Sequence, residues 1–386
     1  MNIIEVTTPE LAKEFLLFPV RLYKNEKPWI RPLDKDIEGV FDPKTNKYFR
    51  HGEATRWILT DDKGTTIGRV AAFINRKTMK TTEYVTGGMG FFECIDDQKA
   101  AFKLFDTCKH WLEERGMEAM DGPINFGERH NWWGLLVDGF TEPNYMMPYH
   151  FPYYKKLFEA YGFKVYYEQY TFHRKVEDPL PPVYQEKADR IGADPKYTFE
   201  HIKKSKIDKY TEDFRYIYNK AWVKHEGVRE MSKAQAKANI GQLKPVLDEE
   251  LIWFAYYDDE PIGFFIMIPE LNQIFKHLNG KLDLIGKLKF LYYKLTGKCK
   301  KMFGVVFGII PEFQGRGVEG AIVMAAAKKI QPSGRYTDFE MNWIGSFNPK
   351  MIKISESVGA KVKKTHITYR YLFDQSKPFY PAKMID

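Results

Sequence analysis

The residues best placed to do chemistry are two glycines and an arginine, in the stretch Gln314-Gly315-Arg316-Gly317. Ahead of them, Val305 to Ile310 is apolar and β-branched, the pattern of a strand buried on both faces. Pro311 ends that run, and Val318 to Ile330 reads as an Ala- and Met-rich helix. A strand, a glycine loop and a helix N-terminus make an anion cradle, because free backbone N–H groups and the helix dipole both favour negative charge. Gly315, Gly317 and Gly320 also spell G-x-G-x-x-G, with Asp338 and Glu340 about 20 residues further on. A dinucleotide is therefore one candidate ligand, although that fingerprint wants the strand to run directly into the first glycine, and Pro311 to Gln314 intervene. An ordinary strand-loop-helix connection is the plain alternative. For proton abstraction the sequence offers Glu312 and Glu340 near the cradle, and Glu128 and His130 in a long loop, 121–149. The same loop carries Asn125, Arg129, Asn131, Trp132 and Trp133 among glycines. Loops of that kind often line substrate sites; a packed connection with buried tryptophans is the competing reading.

The elements that must position these groups can be read in order. Ile3–Val6 is a strand, and Pro9–Tyr23 an amphipathic helix. Glu26–Arg50 is a long polar loop. Strands at 57–60, 66–73 and 85–95 follow, then a helix at 98–115 with apolar residues at helical spacing. After the long loop come a helix (153–161) and a strand (164–173). Pro179-Leu180-Pro181-Pro182 reads as a semi-rigid linker. Beyond it lie a strand (198–202), two helices (209–222 and 233–247), a hairpin (251–268), a lysine-rich insertion (271–301) and the cradle. A strand (337–343), a helix (350–358) and a last strand pair to Phe373 complete the series.

The order repeats. At an offset of 197, Gly162 meets Gly359, Pro152 meets Pro349, Lys156 meets Lys353, Glu159 meets Glu356, Val165 meets Val362 and Thr171 meets Thr368. The division that follows is one unit at 1–176, a linker at 177–195 and a second unit at 196–386. The first unit has Asp96-Asp97-Gln98 where the second has its glycine loop, so only the second is expected to hold an anion.

Ile310-Pro311-Glu312-Phe313-Gln314-Gly315-Arg316-Gly317-Val318 resembles motif A of the GNAT superfamily of N-acetyltransferases, whose core is Gln/Arg-x-x-Gly-x-Gly/Ala. Gln314 and Gly317 match it, and Glu319 stands where the pattern ends in Gly or Ala. The resemblance implies an α/β (α+β) fold of two tandem units, each a mixed, mostly antiparallel sheet flanked by helices. It implies acetyl-CoA or another acyl-CoA as cofactor, held by Ile309, Ile310, Gln314, Gly315, Arg316, Gly317 and Val318. It also implies acyl transfer to the amine of a small molecule or peptide. Glu340 and Asn348 are then the catalytic candidates, with Asn125, Glu128, His130 and Trp132 on the substrate side. Ser355 falls where the family often places a tyrosine acid, so a non-catalytic ligand-binding protein of the same fold is the alternative.

Composition sets the bounds. The chain has 386 residues, 44% of them apolar and 16% aromatic, ample for packed cores. Three scattered cysteines (Cys94, Cys108, Cys299) suggest neither a disulfide framework nor a metal site, and fit a reducing cytoplasm. No apolar stretch approaches the roughly 20 residues of a membrane span. The net charge of +8 suits an anionic ligand, but its lysines lack the pattern of a nucleic-acid motif. The insertion interleaves lysines with Leu, Ile, Phe and Tyr, as a lid, an interfacial helix or a solvated cover could.

Overall fold

A computed structural model describes residues 1–222 and 230–385. In chain order its elements begin with β1 (Asn2–Glu5), α1 (Pro9–Leu22), α2 (Asp34–Phe41), β2 (Gly52–Thr60), β3 (Thr66–Asn75), β4 (Thr86–Cys94), α3 (Gln98–Glu113) and β5 (Ala119–Gly122). β6 (Leu135–Asp138), α4 (Tyr154–Tyr161), β7 (Lys164–Lys175), α5 (Pro182–Gly192), β8 (Tyr197–His201), α6 (Ile207–Trp222) and α7 (Lys233–Leu243) follow. Then come β9 (Ile252–Tyr257), β10 (Glu260–Pro269), α8 (Asn272–Phe275), α9 (Leu284–Leu295), β11 (Lys301–Ile309) and α10 (Val318–Ile330). β12 (Asp338–Gly345), α11 (Pro349–Ser357) and β13 (Lys361–Leu372) complete the set.

Local chemistry explains most of these boundaries. Asp97 accepts from the Ala100 N–H and so caps α3, whose Ala101, Leu104, Phe105, Cys108 and Leu112 recur at helical spacing and are all buried. α4 and α11 both end at a glycine with positive φ, Gly162 at 107° and Gly359 at 79°, each followed by a long strand.

The two units form one continuous sheet in the order β1-β2-β3-β4-β5-β13-β7-β12-β11-β10-β9-β8, with β6 on β13. All pairings are antiparallel except β4–β5 and β11–β12. The two halves exchange strands: β13 from the end of the chain closes the first unit against β5, and β7 closes the second against β12. β7 and β13 have the same bounds once the offset of 197 is applied, and they pair with each other. Gln169 lies opposite its own equivalent, His366, so the axis relating the units runs between them.

This corrects the division at residue 176, because the first unit's last strand belongs to the second unit's sheet. It also corrects the linker at 177–195, most of which is α5, packed on α10. Glu26–Arg50, read as a loop, contains α2. Each half keeps its own apolar core, one around Phe105 and Tyr154, the other around Phe254 and Phe264. The dinucleotide reading fails on topology. A short 3-10 turn, Pro311–Phe313, separates β11 from the glycines, and the sheet is not a parallel doubly wound one. Among the described residues, no helix is long and apolar enough to cross a membrane.

Candidate active site

The second unit opens a cleft where two neighbouring strands part. β11 and β12 pair in parallel only over Lys301–Gly304 and Asp338–Met341. Beyond that point each carries a bulge, an extra residue at Val305 against β10 and one at Asn342-Trp343 against β7. Bulges bend and twist a strand, which drives these two apart. The gap continues into a cavity of about 420 Å³, within the size range of small-molecule sites. Its walls are largely apolar: Val305 to Phe307 of β11, Val323 and Ala326 of α10, and Trp343 of β12. Val305 is 44% exposed, so the run that reads as a doubly buried strand instead offers its first residues, Val305 to Phe307, to the cleft.

At one end of the cleft α10 begins at the glycine loop. Gly317 sits at φ 99°, a conformation that strongly favours glycine, and no side chain caps the helix. Two cations from α5 stand over this helix head. Lys187 Nζ lies 3.0 Å from Glu319 Oε1, and Arg190 donates to the Arg316 carbonyl at 2.9 Å. The Glu319 carboxylate is thus countered by a lysine that the sequence reading placed in a linker. Pro at the first helical positions of α5 is the signal that could have revealed it.

No family model matches the chain. Two curated relatives are similar over nearly their whole lengths. One is a bacterial ceramide synthase from Caulobacter vibrioides, 28% identical over 96% of this chain and 97% of its own. The other is Protein YghO from Escherichia coli K12, 25% identical over 92% of each. Among solved structures, a tandem GNAT protein from the clavulanic acid biosynthesis pathway aligns over 98% of this chain and 99% of its own, with TM-score 0.53 and 9% identity. The GCN5-related glucosamine N-acetyltransferase region of a fungal multi-domain GH3 β-N-acetylglucosaminidase aligns with TM-score 0.54 and 14% identity, over 96% of this chain and 38% of that one. The fold is that of the GNAT superfamily.

Within this tandem GNAT fold the sequence-chosen residues fare differently. Gly315, Arg316, Gly317 and Val318 form the cradle loop and helix head, with the exposed Arg316 guanidinium over Phe313. Gln314 donates to the Ile309 carbonyl, closing the loop. Ile309 and Ile310 are buried in the core, so the open edge of β11 begins earlier, at Val305. Asn348 lines the cleft and caps α11 through the Met351 N–H.

Glu340 is not placed to be a base. It is fully buried, with Lys363 at 2.8 Å, Lys301 at 3.2 Å and Asn144 Nδ2 at 2.6 Å. Burial pushes its pKa up, but Lys364, Lys301 and Lys363 overcome that and hold it near 2. A carboxylate so stabilised is a poor proton acceptor at neutral pH. Burial also draws the Lys364 ammonium down to about 8.

The long loop is packed rather than free. Glu128 pairs with Lys47 and Tyr48, and Trp132 bonds Gly127 and rests on Phe73. Gln169 accepts from the Gly134 N–H and donates to the Trp132 carbonyl. Asn125 lies at a separate cavity in the first unit. The side chain of His130 lies outside the described residues. The loop does bring Arg129 to the cleft, which also takes Arg174 from β7, so both units wall one cavity.

The first unit has the same parting of strands and fills it with protein. β4 and β5 pair only over Thr86–Gly88 and Ala119–Asp121, and β4 bulges at Phe91-Phe92. Beyond the split, the Ile124 N–H donates to the Met89 carbonyl at 2.7 Å. Tyr154 Oη accepts from the Cys94 N–H at 2.9 Å, and Tyr153 Oη donates to the Cys94 carbonyl at 2.7 Å. The backbone groups left open in the second unit are thus satisfied in the first.

Beside this plug lies a carboxylate that no local sequence pattern singles out. Glu93 accepts from Tyr23 at 2.5 Å and Tyr154 at 3.1 Å, with Arg69 at 3.7 Å. Burial outweighs these partners and pushes its pKa up to about 7. The unfolded chain gives up this proton near 4.5 and the folded one near 7. The associated stability is therefore present below 4.5 and lost as pH rises through 7, by about 3 kcal/mol. Chemical denaturation at pH 5 and pH 8 should show that decline in the native protein and not in Glu93→Gln.

Proposed function

We propose that the protein is an acyl-CoA-dependent N-acyltransferase whose acceptor is a long-chain amine of the sphingoid type, giving a ceramide-like amide. The observation that carries the reading is the open cleft between β11 and β12, ending at an uncapped helix head flanked by Lys187 and Arg190. The N–H groups at that head, with the two cations, suit a pyrophosphate. The parted edge of β11 suits an extended pantetheine arm, since it offers backbone groups with no strand beside them. The apolar walls suit an acyl chain. The ceramide synthase likeness supplies the class of acceptor.

A bound acyl-CoA supplies an activated thioester. The amine attacks its carbonyl carbon, the C–N bond forms, the C–S bond breaks, and CoA leaves as the thiol with the proton the amine gives up. The chain's part is to hold the two reactants together and to aim β11 N–H groups at the carbonyl oxygen as it gains charge.

Purified protein given palmitoyl-CoA and sphinganine should release free thiol and form the amide, read by thiol titration and mass spectrometry. Acyl-CoA binding without turnover would favour the non-catalytic reading. Ser355 favours that alternative: it is buried, spends its hydroxyl on the Met351 carbonyl, and supplies no acid.

Glu319→Ala removes the carboxylate of the first turn of α10 and frees Lys187. Acyl-CoA affinity should rise by up to about tenfold by calorimetry. A fall would show that Glu319 serves the cofactor rather than opposing it.

A further inference from the structure

Helix α9 has two faces of opposite kind. The inner face is anchored: Gly286 is buried, Phe290 lies 5.9 Å from Phe275, and Tyr293 stacks on His277 at 4.2 Å. The outer face carries Leu284, Ile285, Leu288, Leu291, Tyr292 and Leu295, between 51% and 76% exposed. At about 100° per residue these six share one arc of about 120°. Lys287 borders the arc on one side and Lys289 on the other, both exposed. Lys298 and Lys300 follow the helix, and no Asp or Glu occurs from Leu284 to Lys301.

We propose that α9 lies in the surface of an anionic lipid bilayer, its leucines among the acyl chains and its lysines at the headgroups. A contiguous apolar stripe held in water marks an interaction site. The charges say which kind. Cations flank the stripe on both sides with no acidic residue among them, which complements a uniformly negative plane. Tyr292, at the edge of the stripe, has the amphipathic ring favoured at that depth. Twelve residues are too few to span a bilayer, so the helix lies along it. The inference stands on α9 alone and does not depend on the acyl-transfer reading.

The test is co-sedimentation of the full-length protein with vesicles of pure phosphatidylcholine and with vesicles of equal parts phosphatidylcholine and phosphatidylglycerol. The protein should pellet with the second and largely not with the first, and molar salt should weaken the binding. The Leu288→Glu/Leu291→Glu variant, altered only on the exposed face, should keep its thermal unfolding and remain in the supernatant. Lys287→Gln and Lys289→Gln should each weaken binding to the anionic vesicles by about fivefold. Failure of the native protein to bind anionic vesicles overturns the proposal, and so does equal binding by the double leucine variant. A native dimer that the leucine variant converts to monomer, with no vesicle binding, would assign the stripe to self-association and overturn it too.

Discussion

Replacing Glu340 with glutamine should lower the free energy of unfolding by about 3–5 kcal/mol, the range for removing one partner from a buried ion pair. The cause is what remains. Lys301 and Lys363 lose the carboxylate they share, and Asn144 keeps only its bonds to Lys301 and Asn342. The loss should depend on pH with a definite sign. Glu340 titrates near 2 in the folded protein and near 4.5 when unfolded. Its stabilisation is therefore complete above 4.5 and is lost as pH falls toward 2, about 3 kcal/mol in all. Urea titrations at pH 7 and pH 3 should show native and variant proteins converging at the lower pH. A variant as stable as the native protein at pH 7 would show that the buried cluster contributes nothing to stability.

Gly317→Val should abolish acyl-CoA binding in a chain that still folds. A β-branched residue at φ 99° costs about 1–3 kcal/mol of strain. The atom its Cβ would meet is the end of the Arg190 guanidinium, at 2.6 Å, which can swing away. The new side chain would cover the helix head and displace a cation, so loss of binding is expected to exceed loss of stability. Calorimetry with acyl-CoA, beside circular dichroism, separates the two. Native affinity in a folded variant would place the ligand elsewhere. Arg190→Ala, which adds no bulk, should weaken binding without abolishing it.

What the sequence made legible was mainly periodic or punctuated. α3 announces itself by apolar spacing, and α10 by the glycines before it. β7 and β13 have bounds that agree when shifted by the repeat's offset, although the strand pair expected up to Phe373 is the single strand β13. Helix α2 carried little signal because Leu33 provides no side-chain cap and half of Asp34–Phe41 is charged. α5 was missed because consecutive prolines read as linker when one of them opened a helix. Glu340 stands near the cradle in sequence, whereas its surroundings come from Lys363 and Lys364 of β13, the next strand in the chain, and from Asn144, 196 residues away. Glu93 carried no local mark at all; its shifted proton affinity arises from burial beside Tyr23 and Tyr154. The strand exchange could not be read either, because both strands alternate and pair alike whichever neighbour they take.

That exchange bears on how the molecule is made. β5 pairs early with β4 but gains its second neighbour only when β13 arrives, more than two hundred residues later in synthesis. Until then the emerging first half carries a bare sheet edge, a template for any other extended chain. Closure over so long a separation is slow, and the exposed edge persists throughout it. A ribosome stalled before Lys361 leaves a sticky nascent chain rather than a finished half. Two finished molecules that traded their final strands would make the same contacts between them as each makes within itself, so crowded refolding should yield interlocked pairs.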